Sequence, residues 1–206
     1  MKTRLGLIIL TMALLLLSAC SIIEPIISPI VDVYTLSPVP SNDSQEPENK
    51  TPTIVVAFLP IRGARSLMST DIVYRESEYS FDSYAYSRWS DNPSKLLDVY
   101  LQQRLSNDQL VSTVVPYEIG ADSEMILQGE LLDFSHHVQN NKSSAGIVKV
   151  HFYLLDASTK SIVANRLFSA EEVADPKNAK GATAAINRAS AAIAEQLIIW
   201  LMMHAK

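Results

Sequence analysis

The chain carries a single cysteine, Cys20, six glycines and two tryptophans in 206 residues. One cysteine excludes an internal disulfide and any multi-cysteine zinc or iron–sulfur site. The glycines (Gly6, Gly63, Gly120, Gly129, Gly146 and Gly181) stand far apart. A phosphate-cradling loop needs them clustered at a helix start, so a nucleotide fingerprint is absent. No Gly-x-Ser-x-Gly elbow occurs either, which removes the usual hydrolase nucleophile turn. Basic residues are outnumbered, 17 Lys and Arg against 22 Asp and Glu, for a net charge of −5. Nucleic-acid binders draw most of their affinity from phosphate contacts; without a basic stripe, nucleic acid is not expected as a partner. Charged residues amount to 19% and hydrophobic ones to 48%. That is too apolar for a disordered chain and sufficient for a core in one or two domains.

What the first twenty residues do contain is ordered and specific. Lys2 and Arg4 form a positive start, followed by a nearly unbroken apolar run from Leu5 to Leu17. About 13 residues are too few for a bilayer-spanning helix, which needs roughly 20, but suit the apolar region of a secretory signal. The run ends in Leu17-Ser18-Ala19-Cys20, which resembles the lipobox of bacterial lipoproteins. That resemblance implies a signal peptide over residues 1–19, cleavage before Cys20, and acylation of Cys20. Each buried CH₂ contributes about 0.8 kcal/mol, so two or three acyl chains anchor where one would be marginal. Ser21 rather than Asp follows the cysteine, a pattern that resembles outer-membrane rather than inner-membrane lipoproteins.

Residues 20–30 read as a lipidated tether, because Pro25 and Pro29 forbid a regular helix. Residues 31–206 read as one domain, interrupted early by a polar, proline-rich loop over 37–53. Strands are expected at Val31–Leu36, Ile54–Ile61, Asp71–Ser77, Ser80–Trp89, Val111–Ile119, Glu124–Val138, Gly146–Ala157 and Ile162–Phe168. Asp91-Asn92-Pro93 supplies a polar cap and a proline for a helix start; Leu97, Leu101 and Leu105 then recur on one face to about Ser106. A last helix is expected to open at Asp175-Pro176, with Ile186, Ala189, Ile193, Leu197 and Trp200 on its apolar stripe. Strands and helices do not alternate regularly. The fold expected is therefore α+β, a mainly antiparallel or mixed sheet with two helices on one face.

Catalytic chemistry is hard to assemble from these residues. His136 and His137 are adjacent on an expected strand and so point to opposite faces; one of them could meet His151 across the sheet, but two ligands do not make a metal site. Glu171-Glu172 has the same facing problem as an acid/base pair. No catalytic, cofactor-binding or metal-ligating residues are assigned, and an enzyme is not expected. Two apolar features exceed what a core requires. Six of the fifteen aromatics fall between Tyr74 and Trp89, and strict alternation puts Tyr84, Tyr86 and Arg88 on one strand face with Phe81, Ala85 and Trp89 on the other. Leu197–Met203 is apolar all round its helix, whereas packing on a sheet needs one stripe. Tyr84, Tyr86, Arg88, Trp89, Ile198, Met202 and Met203 are accordingly the candidate partner-facing residues, and a homo-oligomer is one way to cover them.

The lipobox, the Tyr34-Thr35-Leu36 strand, the apolar strand ending in Pro60, Ile72-Val73-Tyr74-Arg75, and Tyr84-x-Tyr86-x-Arg88-Trp89 with Pro93 together resemble the ABC-type transport auxiliary lipoproteins, the family that includes paraquat-inducible protein C. The resemblance spans about residues 32–200 and rests on structural rather than catalytic motifs. It implies a non-enzymatic periplasmic component, membrane-held through Cys20. Its implied partners are an ABC permease and ATPase and an MCE-domain protein, in a system moving lipids or other hydrophobic molecules and supporting envelope integrity. The alternative is a lipoprotein partner in outer-membrane or lipopolysaccharide assembly.

Overall fold

A computed structural model describes residues 29–37, 54–106, 113–139 and 143–204. Cys20, the leader, most of the tether and most of the 37–53 loop lie outside the described residues. The elements are β1 (Asp32–Tyr34), β2 (Val55–Phe58), β3 (Arg62–Gly63), β4 (Asp71–Ser77), β5 (Ser80–Trp89), α1 (Pro93–Ser106), β6 (Thr113–Pro116), β7 (Met125–Gln139), β8 (Ser143–Asp156), β9 (Ile162–Val173) and α2 (Ala179–His204).

The spine of the sheet is β7. Along one side it pairs antiparallel with β8 over the full length of the strand. Its other side is shared by β2, β3 and β4, each parallel to it and each taking a different stretch. β5 lies antiparallel to β4, β1 parallel to β5, and β6 parallel to β2. β9 closes the far side against β8. The sheet is thus mixed, and the α+β class expected from the element order is the class observed.

Both helices begin on asparagine caps. Asn92 Oδ1 accepts the Lys95 N–H at 2.9 Å, with Pro93 as the first helical residue, where a missing N–H costs nothing. In α2 the cap is Asn178, whose Oδ1 accepts the Gly181 N–H at 3.1 Å. The helix therefore starts at Ala179, three residues beyond the Asp175-Pro176 pair expected to open it. Ile186, Ala189, Ile193, Leu197 and Trp200 are all buried, as are the alternate β8 residues Val148, Val150, Phe152 and Leu154. Burying each large apolar side chain contributes about 1.5–3 kcal/mol. The close seat of α2 depends on Gly146: a Cβ there would lie 2.7 Å from the Ile186 backbone nitrogen.

Several boundaries differ from expectation, and two of the differences have a plain cause. β6 ends at Pro116, which has no N–H to continue a ladder; Tyr117–Ile119 forms a short 3₁₀ turn instead, closed by Gly120 at φ 68°. β9 runs to Val173 rather than Phe168, because β8 offers a matching edge as far as Ala145.

Candidate functional site

Strand register breaks at three places here, and two of the breaks govern the aromatic segment. In β7, Leu131 lies opposite Val150 but Asp133 lies opposite Lys149, so Leu132 is an extra residue. A one-residue bulge turns every later side chain to the other face. In β5, Asp71 pairs with Arg88 while Val73 pairs with Ser83, which leaves three extra residues on the β5 side. An odd insertion reverses alternation there too. Tyr84 and Trp89, separated by five residues, consequently reach the same face of β7.

Trp89 packs edge-on against Phe134 with ring centroids 5.3 Å apart and is 1% exposed. It is a core residue and not a partner-facing one, a correction to the strict alternation argument. Tyr84 is half-buried; its hydroxyl lies 2.7 Å from His136 Nδ1, and its ring sits 5.1 Å from that of Tyr74. Burial, reinforced by neighbouring Tyr74 and Glu76, pushes the Tyr84 hydroxyl up to about 12, so it stays protonated. Burial, followed by the charge of His137, lowers the pKa of His136. The His136 imidazole is fully buried and its Nε2 has no hydrogen-bond partner. Tyr86 and Arg88 are exposed.

At the end of α2, Trp200 packs edge-on against Phe168 at 5.7 Å and Leu201 is fully buried. Ile198 is 6% exposed and also belongs to the core, because the helix is covered on more than one side; it too is corrected. Met202 and Met203 are exposed, and Ile199 is exposed beside them. Spacings of three and four residues place these three on one helix face.

The β7 bulge has a second effect, one that periodicity missed. It turns Asp133, Ser135 and His137 onto the face of the sheet away from the helices. Ser135 Oγ donates to Asp133 Oδ1 at 2.5 Å, and His137 Nε2 lies 3.0 Å from Asp133 Oδ2. This is not a nucleophile triad, which needs the histidine between acid and serine. Here the acid is central, and it holds both neighbours. Burial alone would raise the Asp133 pKa. The hydrogen bonds from His137 and Ser135, with the electrostatic pull of His137 and Arg75, overcome it, so the carboxyl lies below its ordinary value. Register places Lys149 opposite Asp133 and Arg75 opposite His137. A groove of about 510 Å³ opens among these strands, with Arg75, Glu76, Glu78, Asp133, His137 and Lys149 in its lining. The signal that could have found it is the Asp-x-Ser-x-His spacing, which marks one strand face wherever a strand is regular.

The remaining sequence candidates are separated. His151 lies opposite Glu130 and bonds Asn165 at 3.1 Å, while His136 lies opposite Gly146; neither histidine of the pair meets His151. Glu172 pairs with Arg188 at 3.4 Å and Glu171 is exposed. Among the described residues, no three His, Cys, Asp or Glu side chains are grouped to hold a metal. No helix among them is long and apolar enough to cross a membrane.

Comparison with known proteins gives the fold and geometry a context. The family model described as the ABC-type transport auxiliary lipoprotein component matches residues 34–198. No curated protein matches. Among solved structures, protein XCC0632 from Xanthomonas campestris, assigned to DUF330, superposes with a TM-score of 0.71 at 16% identity, covering 84% of this chain and 96% of that one. A second crystal structure, described only as an uncharacterized protein, gives 0.66 at 13% identity, with 84% and 99% covered. At these identities the likeness is one of fold. The family match covers well over half of the chain, and the chain belongs to the ABC-type transport auxiliary lipoproteins.

Proposed function

Proceeding from that membership, we propose that the chain is the lipid-anchored docking component of an ABC transport system that moves lipids or other hydrophobic molecules across the envelope. The observation that carries this reading is the family match over residues 34–198 standing directly behind a lipobox at Leu17-Ser18-Ala19-Cys20. Residues 1–19 would be removed, Cys20 acylated, and residues 20–30 would tether a domain over 31–206. Maturation at Cys20 takes Lys2 and Arg4 with the leader and leaves a net charge of −7. Ser21 favours the inner leaflet of the outer membrane, with the domain in the periplasm. The chain contributes contact rather than chemistry: the permease and ATPase of the system use the nucleotide, and an MCE-domain protein is the neighbour that this lipoprotein would engage. Tyr86 and Arg88 on β5, and Met202 and Met203 with Ile199 on α2, are the exposed side chains offered for that engagement or for contact with further copies of the chain. Large side chains of this kind, flexible methionine among them, suit an adaptable interface.

Two measurements test the reading. Cells grown with an alkyne-tagged fatty acid should label the wild-type chain, while Cys20→Ala should carry no label. Capture of the wild-type chain from crosslinked membranes should recover an MCE-domain protein with permease and ATPase subunits. Recovery of a β-barrel assembly protein without any of these would overturn the transport role and leave the lipid anchor standing.

A further inference from the structure

The groove on the outer face of the sheet has features that packing does not require. Arg75 and Lys149 line it from strands on either side of β7. Neither has an ion-pair partner among the described residues, whose salt bridges are Lys95–Asp91, His137–Asp133 and Arg188–Glu172. Arg75 is half-buried, and its Nε is buried without a hydrogen-bond partner. No hydrogen bond joins Arg75 to Asp133, whose oxygens accept from Ser135 and His137, although the two charges lie near enough for Arg75 to help lower the Asp133 pKa. No hydrogen bond among the described residues engages the Arg75 guanidinium or the Lys149 ammonium, and the planar fork of Arg75 suits phosphate oxygens.

The same groove is also lined by Glu76 and Glu78, and neither has an ion-pair partner among the described residues. Two carboxylates would repel a simple anion, yet they suit an amine carried close to it. The groove, open to solvent, has a volume of about 510 Å³. Beside the groove the β4–β5 turn presents Tyr79 at 92% exposure, and the exposed Phe81 ring stands 5.8 Å below the Arg75 guanidinium. Exposed aromatic rings next to a charged site are what a surface half in water and half in lipid favours.

We propose that this groove binds a zwitterionic phosphate–amine group of the phosphoethanolamine class, with Arg75 and Lys149 taking the phosphate and Glu76 and Glu78 taking the ammonium. The site does not rest on the transport partners proposed above, and it belongs to this chain alone.

The test is calorimetric titration of the full chain in detergent micelles with sn-glycero-3-phosphoethanolamine. Glycerophosphoglycerol, which lacks the amine, and glycerophosphocholine, whose amine has no N–H, serve as comparisons. Saturable binding of the phosphoethanolamine compound, with both others at least about tenfold weaker, is expected, since one charge-assisted hydrogen bond is worth about that factor. Arg75→Gln and Lys149→Gln should each weaken it about tenfold. Glu76→Gln with Glu78→Gln should weaken it while leaving glycerophosphoglycerol unchanged or improved. Should Arg75→Gln fail to fold by circular dichroism, Arg75→Lys, which keeps the charge and loses the fork, should bind with intermediate affinity. Tighter binding of dihexanoyl phosphatidylethanolamine than of the soluble compound would identify a lipid as the source, and equal binding a free headgroup compound. Equal affinity for glycerophosphoglycerol, indifference to Arg75→Gln and Lys149→Gln, or no saturable binding would overturn the site. None of these results depends on whether an MCE-domain protein is recovered.

Discussion

Two ends of the same sheet are built by different rules. Beneath α2, the β8 residues Val148, Val150, Phe152 and Leu154 alternate without interruption and meet a helix stripe of Ile186, Ala189, Ile193 and Leu197. Those four β8 residues point inward, and Lys149, His151 and Tyr153 between them point out. At the β4–β5 end, the bulge at Leu132 and the three extra residues of β5 reverse that alternation. Buried polar groups collect there: His136 against Tyr84 on the core side, and Asp133 with Ser135 on the outer side. The regular end spends its sequence on packing. The irregular end turns polar side chains to where packing alone would not place them, and it holds the groove. A bulge is a low-cost way to re-aim side chains, and bulges gather beside functional sites for that reason.

The comparison can be broken or sharpened by substitution, beginning with the largest effects. Trp89→Ala should cost about 3–5 kcal/mol in denaturant unfolding if the irregular end is as firmly packed as the rest. Ile193→Ala, at the regular end, should cost about 2–5 kcal/mol. A loss under about 1 kcal/mol for Trp89→Ala would show that the aromatic end is loosely held and would return Trp89 to the surface. Next in size, Asp133→Ala should cost about 1–3 kcal/mol by leaving Ser135 unpartnered in a buried position.

Acid should distinguish the two ends as well. His136 has a lowered pKa in the folded chain, so the unfolded chain takes up its proton first as pH falls. Its contribution to stability is complete above the ordinary histidine value of about 6.5 and is lost as pH drops from there through the folded value. Asp133 follows the same sign lower down: its contribution is complete above about 3.9 and is lost as pH falls through its depressed folded value. Unfolding midpoints measured from pH 8 to 5 should therefore fall in the wild type and fall less in His136→Phe. An unchanged slope in that variant would remove His136 as the cause. Smallest of all, Met202→Ser and Met203→Ser should move stability by no more than about 0.5 kcal/mol, as exposed substitutions do. Ile198→Ser, one turn away and buried, should cost several times more; equal costs would mean that the end of α2 has no distinct surface face.

Much of the fold was legible in sequence because most of its elements obey a simple period. The β4–β5 hairpin, α1 with its Asn92 cap, and the long strands β7 and β8 lie within one to three residues of where alternation and capping chemistry put them. The candidate surface was legible only in part. Tyr86, Arg88, Met202 and Met203 are exposed, while Trp89 and Ile198 are buried. Alternation carries no record of a bulge, and helical spacing does not say how many neighbours surround a helix end.

By itself the sequence bounded the chemistry the chain can carry: no nucleotide loop, no disulfide within the chain, and a lone cysteine in a segment that resembles a lipobox. It also determined the α+β class, because local propensity and hydrophobic period act within a few residues of each other. Only the tertiary structure decided which side chains share a face at the irregular end. Register is set by the whole length of β7 holding β8 on one side and β2, β3 and β4 on the other. A single extra residue in that ladder moved Asp133, Ser135 and His137 to the outer face, where Arg75 and Lys149 join them. Those five residues come from three separate strands, and no reading along one strand could have brought them together.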